Sequence, residues 1–95
     1  MENAPDYTNL REAFSRQKQD ALAEYRITQK QASSLLHFKK HRSGIHRSTI
    51  KALVRRGLIH KDQFSLTREG HVLCETLSES YAHFLHRHIY GEAND

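Results

Sequence analysis

The ten residues LIHKDQFSLT, positions 58–67, constrain the fold more than any other segment. Upstream lies an amphipathic stretch that Gly57 is suited to stop, because glycine takes the left-handed conformation that closes a helix. Downstream, Thr67 is a good cap for a new helix. The intervening piece is too short to be a useful helix itself. Leu58-Ile59 and Phe64-Ser65-Leu66 read as two short β-prone pieces around the polar turn HKDQ. A small β-hairpin is therefore expected, folded back as a clip that buries Ile59, Phe64 and Leu66. With one Pro and four Gly, the chain lacks the punctuation of a many-stranded β protein. The rest reads as helical.

Four helices are expected around this clip. The first runs from Leu10 to Tyr25, with Asn9 as cap and Glu12 as its capping-box partner. Leu10, Ala13, Phe14, Ala21 and Tyr25 share one face. The second follows Thr28, with Gln31 completing a capping box, and runs to Phe38 or Lys39. Its core stripe is Ala32, Leu35 and Leu36. The third begins after Ser43, with Gly44 in its first turn, and ends at Gly57. At about 100° per residue, Ile50, Leu53 and Val54 face the core, while Ser48, Lys51, Ala52 and Arg55 face outward. The last helix starts at Thr67 and reaches Tyr90. Leu73, Leu77, Tyr81, Phe84 and His88 follow its 3–4 spacing, widened by Val72, Leu85 and Ile89.

Charge is distributed unevenly. From Tyr25 to Lys61 there is no Asp or Glu, whereas Arg26, Lys30, Lys39, Lys40, Arg42, Arg47, Lys51, Arg55, Arg56 and Lys61 all lie there. The net charge of +4 hides this, because all eleven acids lie outside that run. Such a run is either a solvated face or the footprint of a polyanion. Ninety-five residues suit a single domain with one modest core. No apolar run approaches the ~20 residues of a membrane span, and the opening residues do not read as a signal peptide. One cysteine, Cys74, excludes an internal disulfide framework and suits a reducing cytosol. Burial explains it better than redox sensing does.

The histidines invite a metal reading, through His37 with His41 and through His83, His86 and His88. A zinc site needs three or four converging ligands, commonly including Cys or carboxylate. No such set can be assembled, so no metal or cofactor is expected. Neither a nucleophilic triad nor a paired-carboxylate signature nor a phosphate-cradling Gly loop is present, so an enzyme is not expected.

Helix, short turn, basic helix ending in RRGLI, a small hairpin, and LTREG opening a helix: this order resembles the winged helix-turn-helix domain of MarR-like and PadR-like bacterial regulators. The residues that carry the likeness are Gly57, Leu58 and Ile59, then Leu66, Thr67 and Gly70, within residues 27 to 77. The resemblance implies a mostly α fold with a small β-hairpin wing and extended terminal helices. It also implies a cytoplasmic, nucleoid-associated regulator that binds double-stranded DNA as a homodimer. The third helix would enter the major groove with Ser48, Lys51 and Arg55, flanked by Arg47 and Arg56. Lys39, Lys40, Arg42 and Lys61 would hold phosphates.

The first and last helices extend past what the small core needs. Phe14, Tyr81, Phe84, Leu85 and Ile89 then look unpartnered and suit a dimer interface. Two other functions fit the same pattern: a protein-interaction module in which the basic face is incidental, and a nucleic-acid accessory protein without sequence preference. Fold alone does not choose between them.

Overall fold

A computed structural model describes residues 7–91. The described chain forms five helices: α1 (Tyr7–Tyr25), α2 (Gln29–His41), α3 (Arg47–Arg55), α4 (Arg68–Ser78) and α5 (Tyr81–His86), the last running into a π-helical turn, Arg87–Gly91. Helix α1 packs on α4 and α5, and α2 packs on α3 and α4. The molecule is elongated, 55 × 25 × 21 Å, with a Cα radius of gyration of 16.0 Å. A compact chain of this length has about 12 Å.

The core gathers Ile27, Leu35, Phe38, Leu53, Leu58, Ile59, Leu73 and Cys74, each under a tenth exposed. Leu22, Tyr25, Ile50, Val54, Leu66 and Leu77 pack around it. The helix ends follow local chemistry. Thr28 and Gln31 form the reciprocal capping box at α2, both bonds being 3.0 Å. Thr67 Oγ1 accepts the Gly70 N–H at 3.0 Å and donates to the Gly57 carbonyl at 2.6 Å, so one side chain caps α4 and ties it to the end of α3.

Gly57, at φ +77°, closes α3 in a Schellman arrangement. Its N–H bonds the Val54 carbonyl, and the Leu58 N–H bonds the Leu53 carbonyl. Helix α1 ends the same way at Arg26, where the left-handed φ of +56° falls on a residue with a Cβ.

Five expectations are corrected. Helix α1 already begins at Tyr7, so Asn9 lies within it and does not cap it. The β-hairpin wing is not formed: among the described residues there is no strand, only a single antiparallel bridge between Ile59 and Leu66. The His60 carbonyl accepts the Phe64 N–H in a tight turn, and Thr67 already begins the α4 cap, so no residues remain for a second pair of rungs. Phe64 is not buried. It adopts φ +50°, stays 47% exposed, and only lays its ring edge-on against Phe38 at 5.0 Å.

Helix α3 starts three residues later than Ser43 and Gly44 suggest. Gly44 takes φ +77° in the turn, and His46 is the cap, its Nδ1 accepting the Ser48 N–H at 3.1 Å. Finally, the expected single helix from Thr67 to Tyr90 is broken at Glu79–Ser80. Ser80 recaps the chain by accepting the His83 N–H at 3.1 Å.

Candidate nucleic-acid interface

Helix α3 has the strongest separation of apolar and polar faces in the chain. Leu53 is fully buried and Ile50 and Val54 half-buried, while Ser48, Lys51 and Arg55 are exposed at three- and four-residue intervals. The apolar stripe fastens the helix, and the same fastening turns the other side outward. Arg47 stands exposed at the first helical position. Among the described residues, Lys39, Lys40, Arg42, Arg47, Lys51, Arg55 and Lys61 have no ion pair and no side-chain hydrogen bond within the chain. Their charge is therefore not cancelled from within.

The nine expected contact residues are not equivalent. Arg56 is exposed, but its Nε donates to the Arg26 carbonyl at 3.1 Å, so it braces the end of α1 against the end of α3. Ser48 has its hydroxyl 2.8 Å from His46 Nδ1. Because Nδ1 also accepts the Ser48 N–H, it carries a lone pair, and the hydroxyl donates to it. The Ser48 oxygen keeps only its acceptor side uncommitted.

Arg42 caps α2 in a left-handed conformation at φ +55° and marks the start of the turn into α3. Lys39 and Lys40 line a cleft with Leu36, His37 and Ser78, on the α4 side of α2. Lys61 lies exposed in the clip turn. The α3 residues thus form one stripe, and Lys39 and Lys40 belong to a separate flank. Sequence reading gave no role to His46, which holds the first turn of α3, and placed Arg26 and Lys30 in the basic run without a contact role; they stand exposed beside Arg56 and at the start of α2.

The expected dimer residues sit otherwise than a free patch would. Phe84 is 1% exposed, its ring 5.1 Å from Phe14, and Tyr81 lies 5.3 Å from the same ring. Arg11 covers the outer face of Tyr81 at 4.4 Å. Leu85 is half-buried, and only Ile89 is exposed, at 41%. The break after Ser78 folds α5 back on α1, which supplies within one chain the partner these aromatics were expected to lack.

Cys74 is fully buried, and burial pushes its thiol pKa up against the opposing pull of Lys39. No group of three or more His, Cys, Asp or Glu among the described residues is placed to hold a metal ion. Nor is any helix among them long and apolar enough to cross a membrane. Comparison with protein-family models, with curated proteins and with solved structures finds no match to this chain.

Proposed function

We propose that the outward face of α3 binds double-stranded DNA, two copies of the chain presenting two such faces. The observation that carries this reading is the α3 stripe. Ser48, Lys51 and Arg55 are solvent-facing, unpaired with any acid among the described residues, and borne on a helix that follows α2 across a short turn. Arg and Lys on such a helix can donate to guanine edges or phosphates, and Ser48 can accept from an exocyclic amine. Arg47, near the tip, and Arg42, in the turn, suit phosphate contact. The mechanism is occupancy of a DNA site rather than catalysis, as for a regulator of bacterial or phage type. The clip makes only one rung, so groove contact is assigned to α3.

If each copy neutralises about four phosphates, a pair neutralises about eight. The binding constant then falls with salt at a log–log slope near −7. The test is Lys51→Glu with Arg55→Glu, titrated with a random duplex pool and with duplexes selected by the wild-type protein. Both side chains are exposed and unpaired, so the melting temperature stays the same. Binding is lost, or its salt slope drops to about −4. Unchanged affinity in the double variant refutes the α3 assignment. Equal wild-type affinity for selected and random duplexes leaves DNA binding but removes sequence preference.

A further inference from the structure

The joint between α4 and α5 has neither Gly nor Pro, the residues that ordinarily break a helix. The apolar spacing Leu73, Leu77, Tyr81, Phe84, His88 also continues across it in steps of three and four, as in an unbroken helix. The bend is held by side chains alone. Ser80 caps α5 through the His83 N–H. Lys18, from α1, donates to the Leu77 carbonyl at 2.6 Å and the Glu79 carbonyl at 3.0 Å. In a continuous helix those two carbonyls would accept the Tyr81 and His83 N–H groups. Lys18 therefore occupies the acceptors that straightening would need.

Glu79 adds a second fastening. Its carboxylate accepts Gln17 Nε2 at 3.0 Å, and Arg87 Nε and Nη2 at 3.0 and 3.1 Å. In a straight helix Glu79 and Arg87, eight residues apart, would stand ~12 Å from each other and lose this pair. The contact of Glu79 with His83 Nδ1, now 3.0 Å, has i, i+4 spacing and would survive.

Helix α5 with its π-helical turn spans only Tyr81–Gly91, short of the ~12–15 residues a helix needs to stand alone. Beyond the joint it is seated on α1, where Phe84 and Tyr81 meet Phe14, and Arg87 meets Gln17 at 3.1 Å. Every one of these seat contacts can be made equally well by the α5 of another copy.

We infer that α5 is exchanged between two copies of the chain. The Glu79–Ser80 joint straightens, α4 and α5 become one helix, and each α5 takes the α1 seat of the other copy. Seat contacts are the same in both forms, so they cancel. The balance is set at the joint, where the Ser80 cap, the Lys18 bonds and the Glu79–Arg87 pair are traded for continuous helical hydrogen bonds, and by protein concentration. The seat itself specifies the occupant: the ring pair, the Arg11 that covers Tyr81 and the Gln17 that receives Arg87 fit α5 of this same sequence. The inference rests on the two-copy reading and not on DNA binding.

Sedimentation of four proteins over a concentration series tests it, with far-UV circular dichroism as the check on folding. In Glu79→Ala with Ser80→Ala, the cap and the Arg87 pair are gone from two joints per dimer. Self-association tightens by on the order of tenfold or more. Tyr81→Pro does the opposite. Proline is accepted at the first position of α5, and Ser80 already has the extended backbone required before it, at φ −77° and ψ 156°. In a straightened helix the same proline removes the bond to the Leu77 carbonyl. Tyr81→Pro is therefore monomeric, while Tyr81→Ala, which loses the same ring, still dimerises. Dimers that persist in folded Tyr81→Pro overturn the exchange and leave pairing by another surface. No tightening in the double alanine variant also overturns it. Monomers throughout remove both the exchange and the two-copy reading.

Discussion

Gly70 sits in the first turn of α4, where replacing glycine by alanine in an open helix ordinarily stabilises by about 1 kcal/mol. Here the opposite sign is expected. A methyl on Gly70 would stand 2.2 Å from the Leu58 carbonyl oxygen and 3.2 Å from both the Leu58 carbonyl carbon and Leu66 Cδ2. The oxygen belongs to the backbone and already accepts the Thr67 N–H at 3.1 Å, so it cannot swing aside as a side chain would. Relief requires α4 and the clip to part by about 1 Å, toward ordinary carbon–oxygen contact. Overpacking of this kind costs about 1–3 kcal/mol, and weakening the Thr67 bond adds about 1. Subtracting the gain in helix propensity leaves Gly70→Ala destabilised by about 2 kcal/mol. For a chain of this length the melting midpoint falls by roughly 10 °C. Thermal melts followed at 222 nm measure it. An unchanged or raised midpoint would mean that α4 does not press on the clip as described, and that the likeness of LTREG to the regulators reflects only local turn chemistry.

Two further outcomes follow from the titrating groups. Hydrogen bonds from Arg87 hold the Glu79 carboxyl down at about 2, against 4.5 when unperturbed. A depressed folded-state pKa gives stability that is fully present above pH 4.5 and lost as pH falls toward 2. The gap in melting temperature between wild type and Glu79→Gln should therefore close across that window, and a gap constant with pH would contradict the bonding. The Cys74 thiol, raised by burial, should react with Ellman's reagent at pH 8 far more slowly in the native protein than in guanidinium. Equal rates would place the thiol outside the core.

What was legible in the sequence is what nearby residues decide. The Thr28–Gln31 box, the Thr67 cap and the Gly57 stop are bonds within a few positions, and each was readable from residue type and spacing. The inward stripe of α3 was readable from its period, and with it the exposure of Ser48, Lys51 and Arg55. The start of α3 was misplaced because Ser43 outranks His46 as a cap by type. The turn is nevertheless set by Gly44, against which His37 packs so closely that an added Cβ would lie 3.3 Å from its Nε2.

The break in the last helix was illegible for a different reason. The Ser80 cap and the Glu79–Arg87 pair are local, but the other fastenings, from Gln17 and Lys18, stand 59 to 62 residues away from the carbonyls and carboxylate they engage. No window of sequence contains both. The clip was overestimated as a hairpin because β-propensity reports on residue type, whereas the number of rungs depends on where the turn and the next cap begin. On the charged face, type could not reveal that Arg56 is committed to the Arg26 carbonyl, or that Lys39 and Lys40 lie on a different flank from α3.

The imidazole that closes the first turn of α3 has a consequence for anions. Aspartate is among the residues most favoured at that position, and it would bring a formal negative charge to the positive end of the helix dipole. His46 supplies the same lone pair without that charge. The acid-free run thus extends through the one spot where helix chemistry most invites a carboxylate. Among the described residues, no ion pair neutralises that electropositive tip.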